Sequence, residues 1–281
     1  MSKKLLSILA LCGACISFYI GAGFATMQEV MQYRFEEGGL KGQSFGNLFL
    51  AAMNGLYGNF ETAVYKIGQV FAITGRVLPV TLENVDLSAK LENGQIVKGE
   101  STIPKEVRKQ KCKIDKISLI PENCRPLDEV ISSIHGADII VMGPGSLYTS
   151  VIPNLLVPGV IEAIKKSNAK KVYIPNVMTQ PGETEGYNVL DHVQAIIKHT
   201  EPGLIDCIVT NNEKISESVA RRYNDDGSTQ VLLDNEQRLK LKCMGIKAVE
   251  SNLIEVKDNY IRHNADEISS IIIKLALGHD M

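Results

Sequence analysis

The stretch Asp138-Ile-Ile-Val-Met-Gly-Pro-Gly-Ser-Leu-Tyr-Thr-Ser150 decides how this 281-residue chain is read. Ile139 to Met142 form a short apolar, β-branched run, the signature of a buried strand. The run stops at Gly143-Pro144-Gly145-Ser146, hydroxyl residues follow, and a helical pattern covers 153–167. Strand, glycine turn, hydroxyls and helix, in that order, build an anion site. Glycine lets backbone N–H groups approach a phosphate, and a helix start adds unpaired donors and the positive dipole end. The same order also makes a ligand-free βα turn, and spacing alone leaves both readings open.

A strand at 114–120 and a helix at 126–135 lead into this stretch. From it onward strands alternate with helices: strand 139–142, helix 153–167, strand 172–175, helix 187–199, strand 205–209 and helix 213–222. Such alternation points to an α/β fold with a Rossmann-like, doubly wound, mainly parallel sheet. Ligands in such sheets sit outside the carboxyl ends of the strands. Three polar segments fall there: Gly143 to Ser150, Asn176 to Thr184, and Asn211-Asn212. Earlier in the chain, Ser44 is a helix N-cap for 45–56, and a second helix covers 60–74. Short strands are expected at 77–80 and 85–91, the latter returning through the turn Glu92-Asn93-Gly94-Gln95 into 96–99 as a β-hairpin excursion. Residues 105–113 read as a basic loop or short helix.

Composition narrows the function classes. The chain is 44% hydrophobic and 22% charged, as a packed globular protein should be, and its net charge of −2 excludes an electrostatic footprint for nucleic acid. Six cysteines are scattered through it, which points to reduced thiols in the cytoplasm rather than a disulfide framework. Cys12 and Cys15 form an isolated C-x-x-C inside an apolar run. The five histidines share no metal-ligand spacing, so neither a metal site nor a catalytic group is assigned.

The N-terminus reads differently. Lys3 and Lys4 precede an uncharged run over 5–28, long enough to span a bilayer. A signal peptide and a buried helix fit it as well. Gly21-Ala-Gly-Phe-Ala-Thr-Met-Gln-Glu29 resembles the first transmembrane segment of permease-like proteins with a broken helix. The expected organisation is therefore a foreign apolar helical segment over 1–31, of chimeric origin, followed by an α/β domain over 32–281. Membrane contact would run through residues 5–28 only.

Longer motifs identify a family. GPGSLYTSVIPNLLVPGV (143–160), IPNVMTQPGET (174–184) and RVLPVTLENVDLSAKLENGQIVKGES (76–101) resemble the CofD/YvcK family, and its gluconeogenesis-factor branch in particular. The resemblance runs from about residue 32 to a C-terminal helix around Arg262-His263. It implies a nucleotide-sugar ligand, UDP-N-acetylglucosamine, and a role in cell-wall morphogenesis, cell shape and growth on gluconeogenic carbon sources. Catalysis is not expected. The alternatives are a CofD-like 2-phospho-L-lactate transferase and a membrane-tethered interaction protein.

Carried over residue by residue, the family's phosphate-side loop falls on Gly143, Pro144, Gly145, Ser146, Leu147, Tyr148, Thr149 and Ser150. The N–H groups of Gly145, Ser146 and Leu147 would cradle the phosphate, with the Ser146, Thr149 and Ser150 hydroxyls as further donors. Tyr148 would either stack on a base or sugar or pack in the core. Asn176, Met178, Thr179, Gln180, Gly182, Glu183 and Thr184 form the polar segment, in which Asn176, Thr179 and Gln180 would read ribose or uracil edges. Glu183 would hold a metal or a hydroxyl, or cap the helix near Tyr187. Asn47 lies at the family's G-N-L helix start, and Tyr223 and Arg262 fall where the family places groups for the nucleotide sugar. The departures are equally plain. The family's Gly-Gly-Gly-Thr-Gly loop, Asp-Asp-Gly-Gly-Ser segment and Pro-x-Gly-Asp segment are absent, and Gln43 replaces a histidine. The expectation is that the apolar N-terminus replaces the family's first βα unit, leaving the domain incomplete and the pocket without its glycine-rich wall, a loss that would make it inactive. No cofactor is expected, because the acidic segment for the family's Mg²⁺ is absent. A second copy of the chain stands beside the nucleotide sugar as a partner.

Overall fold

The computed structural model describes residues 8–11, 30–31, 33–70, 77–257 and 260–279, with only the backbone for 8–11. Two compact units emerge: one formed by Met1–Cys15 with Glu83–Met281, the other by Ile16–Leu82. These boundaries differ from a division at residue 31.

The larger unit is built around a five-stranded parallel sheet. In chain order, β1 (Ile8–Leu11) comes first, and the antiparallel strands β2 (Asp86–Leu91), β3 (Ile96–Lys98) and β4 (Ile114–Ile120) make a separate three-stranded sheet. Then come β5 (Ile139–Met142), β6 (Lys170–Tyr173), β7 (Cys207–Asn211) and β8 (Lys247–Ser251). The ribbon β9 (Ile254–Lys257) and β10 (Tyr260–His263) precedes the C-terminal helix Ala265–Ala276. The main sheet runs in the order β1-β5-β6-β7-β8, every neighbour parallel.

All four residues of β5 are buried, which explains its unbroken apolar run: a parallel strand covered on both faces has no polar side to show. Ile139, Val141, Val172, Ile174, Cys207, Val209 and Val249 share one core with Ile268, Ile271, Ile272 and Leu275 of the C-terminal helix. The pleat turns the alternate residues Ile140, Met142, Tyr173 and Ile208, all buried, to the other face. From β5 to β8 the strands advance in one direction. Right-handed crossovers therefore put the helices Val160–Lys166, Val189–His199 and Asn235–Cys243 together on that second face.

Several expectations are corrected. Residues 8–11 are strand, paired from Ile8 with Ile139 to Leu11 with Met142, so the N-terminal apolar run is not helical throughout and this part of it belongs to the sheet. A short apolar stretch carries no period that separates a buried strand from a buried helix. The rest of 1–29, with Cys12, Cys15 and the Gly21–Glu29 motif, lies outside the described residues. Among the described residues no single helix is long and apolar enough to cross a membrane.

Residues 77–80 form no strand, and Pro79 cannot donate to a ladder. The helix expected over 153–167 is two pieces, Ile152–Leu155 and Val160–Lys166, broken where Gly159 takes φ +89°. Arg262 and His263 sit on β10 rather than on a helix. The strand β4 has the expected bounds and pairs with β2 of the 86–98 hairpin.

In the smaller unit, Ser44 caps the helix Phe45–Tyr57 by accepting from Asn47 N–H at 3.2 Å, and Gly58 ends it in the left-handed conformation. This helix and Phe60–Val70 enclose a small core of Met53, Ala63 and Ile67 with Met31, Phe49 and Leu50. Residues 71–74 of the expected second helix lie outside the described set.

Candidate functional site

Because β5 and β6 are neighbouring parallel strands, the segments that follow them emerge side by side at the carboxyl edge of the sheet. Gly143, the first residue past β5, has φ +81°, and a Cβ there would lie 2.5 Å from the carbonyl oxygen of Ile174, just past β6. Only glycine lets the two strand ends approach this closely. The segment 176–184 has the same demand at Gly182 (φ +84°), where a Cβ would fall 2.3 Å from the Pro104 carbonyl oxygen.

The turn does not simply open into an ordinary α-helix. Leu147–Val151 is a single π-helical turn that runs on into Ile152–Leu155. Single π turns of this kind are frequent at functional sites.

Side chains knit the two segments together. Gln180 Nε2 donates to Ser146 Oγ at 2.8 Å, and Asn176 Nδ2 donates to Gln180 Oε1 at 2.9 Å. Gln180 is thereby fixed in its amide orientation, with Asn176 behind it and Ser146 in front. Asn176, Gln180, Gly145, Ser146 and Thr149 all keep partial solvent access. Among the described residues the N–H groups of Gly145 and Ser146 donate no hydrogen bond to protein, and that of Leu147 opens the helical turn.

Glu183 takes a place the sequence reading gave to a ligand. It is only 7% exposed. One carboxylate oxygen accepts from Tyr148 N–H at 3.2 Å, the other from the Thr149 hydroxyl at 2.9 Å. Burial pushes its carboxyl above the ordinary range, while the Thr149 hydroxyl and the Tyr148 and Thr149 amides pull it back. It therefore caps the turn after β5, not the helix near Tyr187, whose start is capped by Asn188 with Asp191. Nor does it suit Mg²⁺. It is the one carboxylate of these two segments, both of its oxygens are already taken, and a hard cation needs several oxygen ligands. Among the described residues no group of three His, Cys, Asp or Glu is arranged to hold a metal ion.

Other expected site residues have structural partners. Tyr148 is 2% exposed, its ring packed edge-on against Tyr187 and His199, so it fills the core and is not free to stack on a base. Its hydroxyl shares a 2.7 Å hydrogen bond with that of Tyr187, and burial pushes its ionisation far up. Leu147 and Ser150 are buried too, and of the hydroxyls expected as donors only Ser146 remains for a ligand, since that of Thr149 is held by Glu183.

Thr179 is 2% exposed and tied to a distant strip of chain: its amide donates to the Thr229 carbonyl and its Oγ1 accepts from Thr229 N–H, both at 2.8 Å. Met178 is buried and bridges to Gln230, and the Thr184 hydroxyl accepts from Gln180 N–H at 2.9 Å. Asn211 accepts from Leu253 N–H at 3.1 Å, which fixes the start of the β9–β10 ribbon.

Tyr223, on the helix Glu217–Asp225, accepts from Ile261 N–H at 2.8 Å. Arg262 is exposed, its guanidinium 5.9 Å from the Tyr260 ring centre. Asn47 belongs to the smaller unit and is exposed.

Sequence reasoning missed Tyr187 and His199. His199 donates from Nδ1 to Ala195 and accepts at Nε2 from Ile117 N–H at 2.8 Å, joining β4 to the helix Val189–His199. No motif marks a histidine used this way; only its place on the buried face of that helix hints at it.

The model of the family described as 2-phospho-L-lactate transferase CofD matches residues 15–254. The chain belongs to this CofD family. Within it, the chain is of the gluconeogenesis-factor type. A gluconeogenesis factor from Bacillus subtilis is 42% identical over 89% of this chain and 77% of its own length. One from Halalkalibacterium halodurans is 43% identical over 88% of this chain and 75% of its own. A relative from Clostridium acetobutylicum is 48% identical over 88% of this chain, which spans only about half (54%) of that relative. The crystal structure of a UPF0052-family protein from Bacillus halodurans superimposes with a TM-score of 0.79 at 43% identity, covering 89% of this chain and 78% of that one. The family match begins at residue 15, inside the run read as foreign, so the chimeric reading of 1–31 has no support there.

Proposed function

We propose that this chain is a nucleotide-sugar-binding gluconeogenesis factor, taking UDP-N-acetylglucosamine at the carboxyl edge of β5 and β6 and regulating cell-wall formation, and with it cell shape, during growth on gluconeogenic carbon in the cytoplasm. The observation that carries this is the Asn176–Gln180–Ser146 chain of hydrogen bonds beside the open amides of Gly145 and Ser146. Backbone donors at a strand end suit a phosphate, and oriented side-chain amides suit ribose or sugar hydroxyls. The similarity to gluconeogenesis factors supports the link to growth on gluconeogenic carbon. Calorimetric titration of the whole chain with UDP-N-acetylglucosamine tests it. The expected result is saturable heat that weakens about three- to tenfold in Gln180→Ala, the worth of one neutral hydrogen bond, with a melting temperature lowered by a few degrees for the lost Ser146 and Asn176 bonds. A wild-type chain that gives no heat overturns the reading.

A further inference from the structure

We infer that Glu183 is a positioning residue: an internal anion that holds the turn after β5 in shape and thereby directs an incoming phosphate to Gly145 and Ser146 rather than to Tyr148 and Thr149. The segment 143–150 carries two sets of donors. The Tyr148 amide and the Thr149 hydroxyl already hold a carboxylate, at 3.2 and 2.9 Å. The amides of Gly145 and Ser146 hold no protein group among the described residues. A second anion placed on the Glu183 side would meet a buried negative charge without screening water, which is strongly unfavourable.

Glu183 is itself held from behind. Its own amide donates to the Gln180 carbonyl at 3.0 Å, and Gly182, next to it, presses on Pro104 where no side chain fits. The carboxylate is thus delivered to the turn by the same segment whose Gln180 grips Ser146. One segment shapes the turn twice, once through charge and once through an amide. Burial of the carboxyl fits this role, because a group placed to meet a solvent-borne ligand would keep its access to water.

The affinity arm of the test rests on the nucleotide-sugar reading; the other arm does not. Glu183→Ala and Glu183→Gln are made in the full chain. Amide hydrogen exchange is followed over residues 145–151, and UDP-N-acetylglucosamine is titrated calorimetrically. In Glu183→Ala, exchange at Tyr148 and Thr149 should rise and affinity should fall about tenfold or more, the worth of hydrogen bonds to a charged group. Added formate, which fits the vacated space and restores a carboxylate, should reverse both effects. Glu183→Gln keeps one acceptor and should fall between the two, and it decides the matter if the alanine variant fails to fold. Unchanged exchange and affinity in the variants overturn the inference, as does an affinity loss that formate leaves untouched in a folded protein. If the wild-type chain binds no nucleotide sugar, the exchange arm alone still confirms or overturns the positioning role.

Discussion

Two glycines of one motif should respond in opposite ways to the same substitution. In Gly143→Ala the new Cβ must sit at φ +81°, where an L-residue costs about 1–2 kcal/mol, and lies 2.5 Å from the Ile174 carbonyl oxygen. That oxygen is backbone at the end of β6 and cannot swing away as a side-chain tip would. Relief requires the two strand ends to separate, and overpacking of this kind costs about 1–3 kcal/mol. The total is about 2–5 kcal/mol, or roughly 4–20 °C in melting temperature for a unit of this size. Gly145 lies two residues on, yet a Cβ there would meet nothing closer than Ser150 Cβ at 3.7 Å, an ordinary contact, and its φ is not in the left-handed range. Gly145→Ala should therefore leave the melting temperature within about 2 °C, the scale of a neutral substitution, while crowding the amides that face the proposed ligand. Thermal melts of both variants, followed by circular dichroism, check this. A Gly143→Ala protein melting within 2 °C of wild type would show that the two strand ends are not held together as described.

Acid should loosen the fold in a defined window. Burial holds His192, His199 and His263 below the ordinary imidazole range, His263 at about 4. Each stays neutral in the folded chain while its unfolded counterpart takes up a proton below about pH 6.5. Their stabilisation is therefore complete above that pH and is lost as the pH falls toward 4. Urea midpoints from pH 7.5 down to 4.5 should fall steadily, and His199→Gln should show a shallower fall than wild type; a flat profile refutes this. Gly182→Ala should destabilise at least as much as Gly143→Ala, because its Cβ would lie 2.3 Å from Pro104 O, and the same melts measure it. Ser44→Ala removes the cap of the helix Phe45–Tyr57 and should cost about 1 kcal/mol, read as loss of helical signal in the smaller unit.

Three strands of the sheet, β5, β6 and β7, were legible in the sequence because they are short apolar runs closed by glycine or polar turns, and the strand 139–142 agrees residue for residue; β1, inside a longer apolar run, and the more polar β8 (Lys247–Ser251) were not. The helix break near Val157 was not, since Pro158-Gly159 sits inside a continuous apolar pattern that hides the left-handed residue. The C-terminal ribbon was missed because alternation over four residues is too weak beside the strong helical period that starts at Ala265. At the candidate site, position was legible and role was not. Sequence places Tyr148, Thr179 and Glu183 at strand ends, but a strand-end residue can turn inward. Their partners, Tyr187, Thr229 and the Tyr148 amide, lie up to 50 residues away and leave no local pattern.

The tie between Thr179 and Thr229 also bears on the order in which the protein is made. Val177 and Thr179 take their backbone partners from Val231 and Thr229, and Met178 bridges to Gln230. A ribosome that has finished β6 has therefore not yet supplied the chain against which 176–184 sets. At about 5–20 residues per second, those fifty residues take seconds to emerge. The neighbouring strands can form during that interval, but the segment carrying Gln180 and Glu183, and with it the β5 turn that it shapes, must wait. A nascent chain stalled before Thr229 leaves the tunnel should thus hold a sheet whose ligand edge is still unfinished.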